Sequence, residues 1–237
     1  MKKLITIFIV GILVILGTWA FNSKRNVVDT DAGVNLCYYY TKDNANGVAD
    51  RAWLKMNIKD TVVTGEFRNL PAETDSNIGR FEGTVGELDQ ASMSRTVEAI
   101  WDSLAEGMQN KEELTIKFGD GSAVAFFGEK IDRGDGVYVY KDKNALIPSN
   151  TMWQKDCMDL QEMLVVEDYI RQNIVNIATN NAVLGGTWYV VKLNISTFEN
   201  TGTVIYEDGH VQSQATFSYD FNGENDLVVI SNFSIKE

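Results

Sequence analysis

Side chains able to do chemistry are few and scattered in this chain. His210 is the sole histidine, in the run Glu207-Asp208-Gly209-His210. A metal site needs three or four donors in fixed geometry, and one imidazole beside two carboxylates supplies too few. Asp-Gly between two strand-like stretches is a hairpin signal instead, so His210 is expected to open the strand after a turn. Asp132-Arg133-Gly134-Asp135-Gly136 lacks the alternating acids and closing Glu of a calcium-binding helix–loop–helix site. It reads as a turn between strands. Arg133-Gly134-Asp135, a tripeptide that some adhesins show to host receptors, is short enough to arise by chance. Glu73 and Asp75, then Glu98, Asp102 and Glu106, offer the carboxylate pairs that glycoside hydrolysis uses when two of them flank a cleft. In a chain this acidic, such pairs occur throughout. The lone His has no G-x-S-x-G partner for a nucleophilic triad. Gly185-Gly186 precedes a strand pattern, whereas phosphate-cradling glycines open helices. The sequence assigns no catalytic residue, cofactor or metal ligand.

Two other groups of residues have defined alternatives. Tyr38, Tyr39, Tyr40, Trp53 and Trp101 either fill a core or line a ligand pocket. Cys37 and Cys157 are the only cysteines. An even count in an oxidising compartment suggests a bridge, which would close a loop over most of the first domain. The chain-entropy model gives such a loop about 4–5 kcal/mol. The alternative is two separate buried thiols. Asn194-Ile195-Ser196 and Asn232-Phe233-Ser234 fit a glycosylation pattern, but both fall inside strand-like stretches.

The compartment is set by the N-terminus. Lys2 and Lys3 precede an uncharged apolar run over residues 4–21, and Lys24 and Arg25 follow it. Eighteen residues suffice to cross a hydrocarbon core of about 30 Å, and the run exceeds the usual apolar core of a signal peptide. Trp19 suits a membrane interface. Thr18 and Ala20 are the small pair that cleavage would need. The expectation is a retained single-pass anchor with the globular part outside the cytoplasm, or a secreted protein if the segment is cleaved. Beyond residue 25, 17 basic residues face 33 acidic ones, a balance of −16 within a chain of net −12. That sign excludes nucleic-acid binding, which relies on clustered Lys and Arg.

These observations divide the chain. Residues 1–25 are the anchor or signal segment and 26–34 a tether. Residues 35–143 alternate with period two, in stretches near 36–40, 53–58, 62–67, 79–85, 112–118, 123–127 and 137–140. Residues 93–108 fit either a helix or a strand, and strand neighbours favour strand. About eight short strands predict an antiparallel barrel or sandwich, and an eight-stranded barrel either fills its interior or holds one small ligand. Residues 144–159 are a connector. In 160–237 a helical stripe (Leu160, Leu164, Val165, Ile170, Ile174, Ile177) precedes four strands, an α+β unit with its sheet curled around the helix. The fold class is mostly β with α+β.

The segments GRFEGTVG, SLAEGM, EELTIKFGDG and FGEKIDRGDGVYVYKDK, over residues 36–143, resemble a family of uncharacterised exported or membrane-anchored bacterial proteins. The tail, VLGGTWYVV through GTVIYEDGHVQSQATFSY, resembles the cystatin-like α+β domain that recurs in them. The protease-wedging loop of true cystatins is absent, so inhibition does not carry over. The resemblance implies a β-rich first domain and carries no activity. The functional expectation is a membrane-tethered extracytoplasmic binding or assembly module, non-enzymatic, of unknown protein or small-ligand partner. The alternative is a cell-envelope hydrolase using paired carboxylates.

Overall fold

Alternation of apolar and polar residues closes the first half of the chain into a barrel. The computed structural model describes residues 33–43, 49–183 and 185–236. The expected anchor at 4–21 and most of the tether lie outside them. Among the described residues no helix is long and apolar enough to cross a membrane. The strands are β1 (Val34–Asp43), β2 (Ala49–Lys59), β3 (Val62–Leu70), β4 (Asn77–Val85), β5 (Ser94–Ala105), β6 (Met108–Gly119), β7 (Ser122–Phe127), β8 (Lys130–Asp132), β9 (Val137–Tyr140), β10 (Ile147–Pro148) and β11 (Met152–Lys155). Helix α1 (Cys157–Ile177) follows, then β12 (Tyr189–Ser196), β13 (Thr201–Glu207), β14 (Gln212–Asn222) and β15 (Leu227–Ile235). Strands β1 to β7 pair in sequence, and β11 pairs with both β7 and β1, so eight antiparallel strands form a closed ring.

The ring's last strand departs from the sequence reading. Residues 137–140, counted above as a barrel strand, form β9, which lies outside the ring in parallel pairing with β6. The eighth strand is β11, inside the segment expected to be a connector. The barrel therefore runs to Lys155. Residues 94–105 are strand: Val97, Ala99, Trp101 and Ser103 point inward and Glu98 and Asp102 outward. The competing helical stripe included Met93, Leu104 and Met108, which sit exposed at strand ends. Glu106-Gly107 and Asp120-Gly121 turn the chain with positive φ at both positions, the geometry of tight hairpins.

Side chains fill the barrel. Tyr38, Leu54, Phe67, Phe81, Trp101, Leu114, Ile116 and Met152 form one buried cluster. At one end of the barrel Glu112 accepts from Ser103 Oγ at 2.6 Å and pairs with Lys130 of β8. Two glycines permit close cross-strand packing. Gly65 faces Phe81 and Gly202 faces Phe217, and a methyl added at either would lie 2.4 or 2.2 Å from the ring's Cζ. Overpacking of this kind costs about 1–3 kcal/mol. Gly65→Val and Gly202→Val are each expected to lower the urea midpoint accordingly, and unchanged midpoints would contradict the packing.

Helix α1 begins where Asp156 accepts from the amides of Met158 and Asp159 at 2.8 and 3.2 Å, an N-cap that satisfies two otherwise free donors. Its apolar residues divide between two partners. Leu160 and Met163 pack with Cys37 and Trp53 on the barrel's outer wall. Val166, Ile170 and Ile174 pack with Trp188, just before β12, and with Val204, Tyr206, Phe217 and Tyr219 of the four-stranded sheet β12-β13-β14-β15. The Cys37–Cys157 disulfide, with Cα atoms 5.2 Å apart, joins the helix's first turn to β1. Sharing this helix, the barrel and the sheet form one compact unit, Val34–Glu237.

The β13–β14 turn is held by Asp208. Its carboxylate accepts main-chain N–H groups from Val183, Val211 and His210 at 2.6, 2.8 and 2.9 Å. These bonds hold the carboxyl below the usual carboxylate range. A depressed folded value means that the stabilisation is complete above the unfolded value of about 3.9. It is lost as pH falls through the folded value. Wild-type thermal stability is expected to drop below about pH 4. Asp208→Ala is expected to be less stable at neutral pH and to show a shallower drop, read by circular dichroism melts between pH 7 and pH 3.

Candidate functional site

The sequence-predicted chemistry does not converge. His210 is exposed in the β13–β14 turn, donating its amide to Asp208. Asp132 ends β8, and Arg133, Gly134, Asp135 and Gly136 form the β8–β9 turn, where Arg133 pairs with Asp135 at 2.6 Å and the Gly134 amide donates to Asp132 at 2.7 Å. Glu73 and Asp75 are exposed after β3, Glu106 is at the β5–β6 turn, and Glu98 and Asp102 lie along β5. Four residues along a strand separate Glu98 from Asp102 by about 13 Å. Each is on the barrel's outer surface, with Asp102 3.6 Å from Lys111 and Glu98 3.6 Å from Lys143. No group of three or more His, Cys, Asp or Glu among the described residues is arranged to hold a metal.

The aromatic residues separate by strand parity. Tyr38 and Trp101 point into the filled barrel, and Tyr40 packs against the same cluster. Tyr39 and Trp53 point outward, toward α1. There two hollows meet. One, of about 470 Å³, lies between the outer wall of β1–β2, helix α1 and strand β12. The other, of about 250 Å³, continues along β2, β3 and α1 past Trp53. Tyr39, Arg51, Glu167 and Arg171 line both. A larger trough on the outside of β3–β5, about 920 Å³, is shallower and more open, and Thr64, Arg80, Glu82 and Ile100 line it.

The junction is built from four remote segments. Arg51 stands on β2, and its guanidinium pairs with Glu167 Oε1, 116 residues away on α1. Arg171, one turn further along the helix, donates its Nε to the same oxygen at 2.8 Å and its Nη1 to the Val190 carbonyl at 3.2 Å. Two guanidinium groups thus share one carboxylate, of which only 10% is exposed. Burial, then the neighbouring Arg171 charge, pulls Arg51 below its ordinary pKa, and burial does the same to Arg171. Burial pushes the Tyr39 phenol up, and the Arg51 charge partly offsets it. In the adjoining hollow, Arg68 and Lys55 lie 4.7 and 5.3 Å from the Trp53 ring centre, within cation–π range. Lys55 also donates to Gln161 of α1.

Across the larger hollow, Lys192 of β12 pairs with Asp43 of β1. Glu207 accepts the Tyr189 hydroxyl. Among the described residues, every carboxylate lining this hollow is therefore held by a donor. The arrangement suits recognition of a guest that offers hydrogen bonds and charge.

Comparison with family profiles, curated proteins and solved structures finds no match.

None of Arg51, Glu167, Arg171, Asp43 or Lys192 stood out in the sequence as a site residue. One signal was available: Glu167 falls within the apolar stripe of α1, between Val166 and Ile170, and Arg171 follows at i+4. A carboxylate on a buried stripe requires a partner. Arg51, at the start of a strand with charged neighbours, carried no such mark.

Proposed function

We propose that this protein is a membrane-tethered, extracytoplasmic binding module whose ligand occupies the cleft between the barrel's outer wall and the helix–sheet layer. The observation that carries this reading is the meeting of two hollows over Tyr39, Arg51, Glu167 and Arg171. The volume of about 470 Å³ lies within the range of ligand pockets, which combine apolar walls with a few convergent polar groups. Met163, Leu193 and Ile195 supply apolar wall and the Arg–Glu–Arg cluster the polar floor. The filled barrel favours a site outside the ring over a small apolar ligand within it. The disulfide accords with an oxidising compartment, and the apolar run at 4–21 is long enough to serve as the membrane anchor. Recognition alone, with no reaction, accounts for a larger hollow in which Asp43, Glu167 and Glu207 are each held by a donor.

Native mass spectrometry of the full-length protein, extracted in mild detergent from its source, tests this. The expected spectrum carries an added mass in wild type that is lost in Arg51→Gln. A mass retained equally by both proteins, or bare protein from both, would overturn the assignment of the cleft.

A further inference from the structure

The larger hollow is bordered by β12 in an unusual way. Seven consecutive residues, 189–195, line it. A strand that shows a face to a cleft contributes alternate residues, because its side chains alternate sides. A consecutive run means that the main-chain edge itself borders the space. Among the described residues β12 is the end strand of its sheet and pairs only with β13. The opposite wall does show a face: Tyr39, Thr41 and Asp43 from β1, and Arg51 from β2, are alternate, outward-pointing positions. One wall thus offers a series of main-chain groups and the other a row of side chains.

We propose that the guest in this cleft is an extended polypeptide segment carrying a carboxylate, added as a fifth strand along β12. The inference rests on the cleft reading above and names its ligand class. An open strand edge recognises in series only another backbone, and side chains alternating from that backbone then meet the facing wall. The barrel side fixes the chemistry of one of them. Arg51 and Arg171 share a single oxygen of Glu167, and Arg171 Nη1 also donates to the Val190 carbonyl, so the guanidinium N–H groups beyond these bonds are left to fork onto a second carboxylate. An incoming anion also relieves the proximity of the two cations, with Asp168 the other acid near them.

Two features of β12 oppose strand addition in the empty protein. A bulge falls between Val190 and Lys192, and Lys192 reaches across the cleft to Asp43. Bulges and lysines are how edge strands avoid indiscriminate pairing. The Lys192–Asp43 pair is a weak barrier, with side-chain exposures of 26% and 47%. Pairs this exposed bias an equilibrium by at most about fivefold. Each main-chain hydrogen bond gained contributes roughly two- to tenfold. Two or three such bonds outweigh the pair, so it acts as a latch that a matching strand displaces.

The test uses full-length protein in detergent and a fluorescein-labelled octapeptide of alternating Thr and Val with one central Glu. Three comparison probes accompany it: the same peptide with Gln in place of Glu, the same peptide N-methylated at alternate amides, and free glutarate. Binding is read by fluorescence anisotropy and by amide hydrogen exchange. The expected result is saturable binding of the Glu peptide that slows exchange in residues 189–195. Binding should weaken about tenfold or more with the Gln peptide, with Arg51→Gln and with N-methylation, and strengthen up to about fivefold in Asp43→Asn, which frees the latch. Glutarate binding that Arg51→Gln removes, with no peptide bound, would overturn the strand inference and leave the cleft reading standing. Peptide binding that is insensitive to N-methylation, or that protects residues other than 189–195, would also overturn the inference. Failure of both glutarate and peptide to bind would count against the inference and the cleft together.

Discussion

Replacing Cys37 and Cys157 together by Ser is expected to lower the unfolding free energy by about 3–5 kcal/mol. The bridge spans 120 residues of sequence, and the chain-entropy model gives a loop of that length about 5 kcal/mol. The effect is large also because of where the bridge sits. It fixes the first turn of α1 to β1, beside Leu160 and Met163, the residues through which the helix leans on the barrel. Without it, the helix–sheet layer is held to the barrel wall by a small apolar cluster and a few polar contacts. Urea unfolding with and without reductant measures the loss, and amide exchange in the first two turns of α1 should rise in the double variant. A decrease below about 1 kcal/mol would show that the denatured chain gains little freedom when the bridge is cut.

Glu167→Ala is expected to be the most damaging single change at the cleft. It leaves two guanidinium groups close together, with Arg51 and Arg171 side chains only 25% and 32% exposed. Removing one partner from a buried ionic cluster typically costs about 3–5 kcal/mol, and the partial exposure here places the expected loss at about 2–3 kcal/mol. The triple variant Arg51→Met, Glu167→Leu, Arg171→Met tests the cause. Replacing a whole ionic cluster by apolar residues of similar size is often neutral or stabilising, so the triple variant should recover most of the stability while losing ligand. If the triple variant is as unstable as Glu167→Ala, packing of the Glu167 stem, and not charge, sets its role.

Much of the architecture was legible in the sequence because it rests on local rules. An even count of two cysteines predicted their bridge. Asp208-Gly209 predicted its turn, period-two alternation predicted strands β1 to β4, β6 and β7, and strand neighbours favoured β5 as strand over helix. The order of one helix and four strands also stands, with α1 starting at Cys157 instead of Leu160. The final barrel strand was not legible for a physical reason. Met152–Lys155 is four residues long, too short to show alternation, and it follows Pro148 in a stretch with turn composition. Its β character comes from the two neighbours it bridges, β7 and β1. Residues 137–140 have stronger strand propensity, yet they pair outside the ring, in parallel with Lys111 and Glu112 of β6 and antiparallel with β8. Propensity gave way to ring closure, which depends on contacts far apart in the chain.

The cleft was illegible for a related reason. Tyr39, Arg51, Glu167 and Val190 come from four segments that no motif spacing links. Their proximity follows from α1 lying against both the barrel and the sheet. The acidic residues that looked most like chemistry (Glu73, Asp75, Glu98, Asp102 and Glu106) are instead spread over outer strands and loops. Strong acidity made carboxylate pairs frequent along the chain and therefore uninformative about place.

Photocrosslinking in the source cell decides where the partner sits. A benzoylphenylalanine replaces Asn194, exposed on β12 in the cleft, or Glu82, exposed in the trough outside β3–β5. Irradiation is predicted to give a covalent adduct from position 194 and none from position 82. Adducts from position 82 alone, or from neither position, would contradict a ligand held between barrel and helix–sheet layer.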